Sequence, residues 1–151
     1  MNEGSGAFLL FSNGLVGLQL KDNLDYLSDK WCVSAFGGGF EQGEDQLTCL
    51  KRELYEELQI KNVADSQIVK VGDYEAKLKE NQIVLAHQFI IVGLDMNLLK
   101  PSEGNLCIID PNSNINGENL RIGEIAEHYY YDTIKMCISL HKKYILNGSY
   151  K

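Results

Sequence analysis

The sequence predicts an α/β fold in which helices pack on a mostly β centre. Three observations carry this. Two apolar runs, Gly6–Ser12 and Leu15–Leu20, flank Asn13-Gly14, a strong hairpin signal. A strand at Trp31–Phe36 leads through Gly37-Gly38-Gly39 towards a helix over Asp45–Leu58. Two further strand-like runs, Ile68–Lys77 and Ile83–Leu94, are joined by a turn around Lys79–Asn81, and the second is apolar enough to be central in a sheet.

Each element has a local reason. In the first helix Leu47, Leu50, Leu54 and Leu58 fall in one stripe at 3.6 residues per turn, able to face a core. Asp45 is placed to cap its start, with Glu44 near the positive helix end. The three successive glycines read as a loop that lets backbone approach a ligand closely. A short strand, Asn105–Ile109, precedes a loop containing Pro111, Asn112, Asn114, Asn116 and Gly117. A final helix runs from about Asp132 to Leu146, and Asn147-Gly148 stops it. Its Ile134, Cys137, Ile138, His141 and Ile145 recur at helical spacing, which marks a core face. No repeat, low-complexity run or linker interrupts the chain, so residues 1–151 read as one domain.

Composition narrows the partners. The net charge of −7 argues against a nucleic-acid duplex or an anionic membrane as the main partner. It does not exclude phosphorylated small molecules, because divalent cations reverse the local charge. No apolar run approaches transmembrane length, and the start, MNEGSGAFLLFSNG, lacks the basic region of a signal peptide. Cys32, Cys49, Cys107 and Cys137 show no zinc or redox spacing, so free thiols in a reducing cytoplasm are expected. His87, His128 and His141 are scattered and read as structural or surface residues.

The informative segment is GGFEQGEDQLTCLKRELYEELQI, from Gly38 to Ile60. It sets Glu53, Glu56 and Glu57 at the C-terminal end of the first helix, where the macrodipole disfavours anions by a few tenths to ~1 kcal/mol each. Glu53 and Glu57 also repel each other at i,i+4. Such a cluster either stays solvated or holds cations, and hard divalent ions such as Mg²⁺ favour carboxylate oxygens. Arg52 has two readings, an exposed i,i+4 partner of Glu56 or an internal ion pair with an acid such as Glu44.

These residues resemble the Nudix box, GX5EX7REUXEEXGU with U aliphatic. Gly38, Glu44, Arg52, Glu53, Leu54, Glu56, Glu57 and Ile60 fall on its positions, and Gln59 replaces the box glycine. Gln59 is expected to end the helix differently and change the local shape while leaving a metal site intact. The resemblance implies an α/β/α sandwich with a central mixed β-sheet. It implies Mg²⁺, with Mn²⁺ as a substitute, held by Glu53, Glu56, Glu57 and a backbone carbonyl from Gly37 or Gly38. It further implies hydrolysis of a pyrophosphate bond in a nucleoside diphosphate linked to another moiety: a nucleoside triphosphate, a nucleotide sugar or a dinucleoside polyphosphate. In that reading Glu53 orients or deprotonates water, Arg52 and Glu44 fix the site, and Gly38 and Gly39 approach the substrate.

Outside the box the residues leave alternatives open. Lys21 is the first candidate for a phosphate contact, with a solvated strand-end lysine as its rival. Glu103, in Ser102-Glu103-Gly104, is either the catalytic base or part of a surface turn. Trp31, Tyr74 and Phe89 either stack on a base or belong to the core. The resemblance also leaves a homodimer open. Two rival functions are a nucleotide-sensing domain that does not cleave its ligand and a protein-interaction domain built on the acidic helix.

Overall fold

The computed structural model describes residues 2–22, 31–99, 105–113 and 120–150. Its strands are β1 (Asn2–Phe11), β2 (Val16–Asp22), β3 (Trp31–Ser34), β4 (Phe36–Gly39), β5 (Ile68–Lys77), β6 (Ile83–Leu94) and β7 (Asn105–Ile109). Two α-helices, α1 (Gln46–Leu58) and α2 (Tyr130–Asn147), accompany them. The seven strands form one sheet in the order β3-β2-β1-β6-β5, with β4 added to β1 and β7 to β2. Among the strands of the described residues β1 and β6 pair parallel and the other pairs are antiparallel, so the sheet is mixed.

β1 organises the sheet because both its faces are apolar. From Ala7 to Phe11 every residue is essentially fully buried. Alternation sends Ala7, Leu9 and Phe11 to one face, against Leu50, Leu54 and Leu58 of α1. Phe8 and Leu10 point the other way, against Tyr130, Ile134 and Cys137 of α2. One helix on each face of a mixed sheet is the α/β/α sandwich expected.

Partway along, β1 changes neighbours. Gly4–Ala7 pair with β4, whereas Leu9 and Leu10 pair with β2. The sheet therefore forks beside the last turns of α1. Expectation and structure differ here: Gly37-Gly38-Gly39 is strand, in register with Gly4, Ser5 and Gly6, and the loop proper comes after it. Glycine is required for that pairing. A Cβ on Gly37 would lie 2.0 Å from the Ser5 carbonyl oxygen, and one on Gly4 would lie 2.7 Å from that of Gly38.

The helix ends follow local chemistry. The Asp45 carboxylate accepts from Thr48 N–H at 2.8 Å, the cap expected from sequence. At the other end Gln59 adopts the left-handed conformation (φ 57°, ψ 27°), and its N–H donates to the Tyr55 carbonyl at 2.8 Å. The altered helix end expected of Gln59 is not found, because it takes the turn a glycine would take. Tertiary packing of Leu54 and Leu58 fixes the chain direction strongly enough to impose it. Two stripe residues also depart from expectation: Leu47, in the first turn of α1, and Ile145, near the end of α2, are exposed.

A non-glycine residue in the left-handed region carries a steric cost of about 1–2 kcal/mol. Gln59→Gly should therefore raise stability by about 1 kcal/mol, less the extra freedom glycine gives the unfolded chain. Chemical denaturation measures this directly. An unchanged or lower midpoint would show that the Gln59 side chain supplies compensating contacts.

Candidate active site

The acid cluster is built by packing the last turns of α1 against the fork in the sheet. Glu57 continues the apolar stripe and is only 1% exposed. Its two oxygens are separately engaged. Oε1 accepts from the Gly37 N–H at 2.9 Å, and Oε2 accepts from Nε2 of Gln19 at 2.6 Å. The carboxylate is thus tied to β4 and to β2, on opposite sides of the fork.

Glu53 stands one turn earlier against Gly38. A Cβ on Gly38 would lie 2.5 Å from Glu53 Oε1, so the missing side chain admits the carboxylate. Burial pushes the Glu57 carboxyl up to about 8, followed by a hydrogen bond to Glu53 and repulsion from that neighbour. The Lys21 charge and the Gly37 N–H pull it the opposite way. Two acids share this corner, which keeps the Glu57 carboxyl protonated more readily than an exposed one.

Arg52 holds the outer side. Its guanidinium makes a two-pronged pair with Glu44, Nε to Oε2 at 2.8 Å and Nη2 to Oε1 at 2.9 Å. Nη2 also donates to the Gly39 carbonyl at 3.0 Å. Nη1 donates to Glu53 at 2.9 Å and to Glu56 at 3.2 Å. Both readings of Arg52 are therefore present together, with Glu44 the bidentate partner. The guanidinium, and then the Glu41 N–H, hold the Glu44 carboxyl below its usual value. This network fixes the turn after β4 against α1.

A cavity of about 260 Å³ opens on the α2 face of the sheet. Gly37, Gly38 and Gly39 form one wall, Lys21 lies at its edge, and Val84 and Ala86 lie across from them. The strand that touches Glu53 and Glu57 through its glycines is thus also a wall of the cavity.

The other sequence candidates fall as follows. Glu56 is turned to Arg52 and its side chain is 46% exposed. Among the described residues, no three His, Cys, Asp or Glu side chains converge on one metal position in this arrangement. Glu103 and the side chain of Trp31 lie outside the described residues. Phe89 is buried in the α1-side core, and Tyr74 donates to Asp132 at 2.9 Å and packs edge-on to Tyr129. His87 is buried between Asp73 at 2.6 Å and Glu3 at 2.8 Å, a structural role. All four cysteines are free thiols.

Sequence reasoning passed over Gln19, Gln88 and Tyr129. The signal for the glutamines was a polar residue inside an apolar strand: Gln19 between Leu18 and Leu20, Gln88 just before Phe89-Ile90-Ile91-Val92.

The raised Glu57 value sets a pH dependence. Folding raises this carboxyl from 4.5, so the folded state binds more protons than the unfolded chain between pH 4.5 and about 8. The stability this gives is full below 4.5 and is lost as pH rises through 8. Without divalent cations the melting temperature should fall across that window, and Glu57→Gln should flatten the fall. Equal slopes in both proteins would contradict a raised Glu57 carboxyl.

Comparison with known proteins agrees with this geometry. A family profile described as the NUDIX domain matches residues 4–109. No curated protein matches the chain. Among solved structures, the ORF135 protein of E. coli superposes with a TM-score of 0.67 at 20% identity, covering 95% of this chain and 92% of its own. A MutT protein from Methanosarcina mazei Go1 gives 0.64 at 17% identity, covering 91% and 93%. An Ap4A hydrolase from C. elegans gives 0.61 at 16% identity, covering 99% and 100%. At these identities the superpositions establish a shared fold. With the profile spanning 106 of the 151 residues, including the whole acid-bearing helix, the chain belongs to the Nudix hydrolase family.

Proposed function

We propose that this protein is a Mg²⁺-dependent pyrophosphohydrolase. Its substrate is a nucleoside diphosphate linked to another moiety, such as a nucleoside triphosphate, a nucleotide sugar or a dinucleoside polyphosphate. The observation that carries this reading is the Glu53–Glu57 corner, two crowded carboxylates resting on glycines that wall a cavity. Similar folds lend support: one is an Ap4A hydrolase from C. elegans, and another a bifunctional NMN adenylyltransferase/ADP ribose pyrophosphatase from Francisella tularensis complexed with AMP and a Mn ion.

The donor set fits a hard divalent cation. It is all oxygen, and the buried Glu57 carboxyl is crowded by Glu53, a repulsion that a cation would relieve. Glu53, Glu56, Glu57 and a carbonyl of Gly37 or Gly38 would hold the ion. When bound, Mg²⁺ neutralises phosphate charge, lowers the pKa of water and stabilises the leaving phosphate.

The chain's own residues do the rest. Glu57, clamped by Gly37 and Gln19, fixes the inner edge of the site. Arg52 links Glu44, Glu53 and Glu56, so the turn after β4 and the acidic helix keep one geometry. Glu53 takes the proton of the attacking water. Lys21, at the cavity edge, contacts the phosphates. Gly38 and Gly39 let the substrate approach backbone closely. The free thiols and the small-molecule substrate favour a cytoplasmic setting.

The test is phosphate release from nucleoside triphosphates, dinucleoside polyphosphates, nucleotide sugars and ADP-ribose, with and without Mg²⁺. Turnover of one class should require the ion. Glu56→Gln and Glu57→Gln should each lower it about a hundredfold or more. Both variants should still fold, as read by circular dichroism. Undiminished turnover in both would reject the site assignment. Binding without cleavage would point to a sensing domain.

A further inference from the structure

The acids of α1 are compensated unevenly. On the outer side Arg52 meets Glu44, Glu53 and Glu56 with a full positive charge. On the inner side Glu57 is held by neutral donors, the Gly37 N–H at 2.9 Å and the Gln19 amide at 2.6 Å. Lys21, two residues further along β2, is exposed and acts on Glu57 at longer range. The innermost carboxylate is thus fixed in place by groups that carry no charge.

Gln19 is well placed to do this. It is 1% exposed, and Leu18 and Leu20 beside it face the α2-side core, so alternation turns Gln19 to the α1 face. At this residue β2 has a neighbour on both edges, Ser34 of β3 and Leu106 of β7. A backbone anchored from both edges suits a side chain that positions another. The amide meets a carboxylate favourably through its NH2 end, because its oxygen end would set acceptor against acceptor.

The identity of this side chain decides what is left for an ion. Leucine or methionine would remove the donor to Glu57 Oε2 and let the carboxylate turn. Lysine or arginine would hold the oxygen but also neutralise it, as Arg52 does for Glu44. Glutamate would add a further like charge. Glutamine holds the carboxylate and leaves its charge in place. An ionised carboxylate has about four lone-pair directions, so Glu57 can meet a cation while both hydrogen bonds are kept.

We propose that Gln19 is a positioning residue for the divalent cation: a neutral donor that orients Glu57 as a ligand without competing with the ion for its charge. This rests on the hydrolase reading above and deepens it. Gln19 acts through Glu57 and does not bind the ion itself. The inner, Glu57 side of the cluster then decides cation affinity, while Arg52 keeps the outer acids fixed.

The experiment measures Mn²⁺ binding by electron paramagnetic resonance, without nucleotide and at one pH. It uses the wild type, Gln19→Met, Gln19→Lys, Glu57→Gln and the double variant Gln19→Met/Glu57→Gln, each checked for folding by circular dichroism. Gln19→Met should lower the affinity about tenfold to a hundredfold. Once Glu57 is replaced, the same change at position 19 should cost nothing more. Gln19→Lys should lose more than Gln19→Met, because it sets a fixed positive charge beside the ligand; it carries the test if the methionine variant does not fold. In turnover assays the Mg²⁺ concentration for half-activity of Gln19→Met should rise by the same factor, with kcat at saturating Mg²⁺ approaching the wild-type value. A merely structural defect would not be restored by the ion.

Equal Mn²⁺ affinity in the wild type and Gln19→Met would overturn the proposal, as would an equal loss with and without Glu57. An unimpaired Gln19→Lys would do the same. If the wild type binds no Mn²⁺, the cation site fails and the role of Gln19 falls with it. If affinity drops as expected but no nucleotide is cleaved, the hydrolase reading fails and the role of Gln19 stands. If nucleotides are cleaved with Mg²⁺ and Gln19→Met binds Mn²⁺ unchanged, the role of Gln19 fails alone.

Discussion

A buried carboxylate sets the geometry of this molecule. Glu57 lies on the apolar stripe of α1, where a leucine would pack without difficulty, and its position demands compensation from elsewhere in the chain. The Gly37 N–H and the Gln19 amide supply it from β4 and β2, the two strands that part at the fork. For Gly37 to present its N–H there, β4 must run close to β1, and that closeness leaves no room for a Cβ on Gly37 or Gly4. The glycines, the fork and the acid are one constraint seen from three sides. Arg52 closes the outside by neutralising the remaining acids of the helix end.

The sheet then divides the work between its faces. The α1 face carries the acids and a core of leucine, phenylalanine and isoleucine. The α2 face carries a cavity whose floor is made by shrinking side chains along β1 and β6. Gly37–Gly39 belongs to both, touching Glu53 and Glu57 through its backbone and walling the cavity. The glycine strand is therefore what joins the acid-bearing face to the cavity. Phosphoanhydride chemistry needs that adjacency, because positioning and charge neutralisation provide most of the catalysis.

The strand and helix positions were legible because their local signals agreed. Asn13-Gly14, the Asp45 cap and the apolar run Ile83–Leu94 each name one structure. The acid cluster was legible from spacing, since helical geometry alone brings Glu53, Glu56 and Glu57 to one end of α1. What was not legible depended on contacts between distant segments. Three glycines in a row read as a loop, and only pairing with Gly4–Gly6 makes them a strand. Gln59 read as a misfit, and packing of the preceding leucines holds it in the glycine conformation. Gln19 carried a weak signal, polarity inside an apolar strand, whose meaning needed Glu57 across the fold.

The central claim is that the crowded acids of α1 are a divalent-cation site at the glycine wall. The most direct measurement is a crystal structure grown with Mn²⁺ and phased to show its anomalous signal. The account predicts a peak within coordination distance of Glu53 and Glu57, with a carbonyl of Gly37 or Gly38 turned to it and Glu56 swung away from Arg52. A saturated crystal with no peak there, or with Mn²⁺ held only elsewhere, would contradict it.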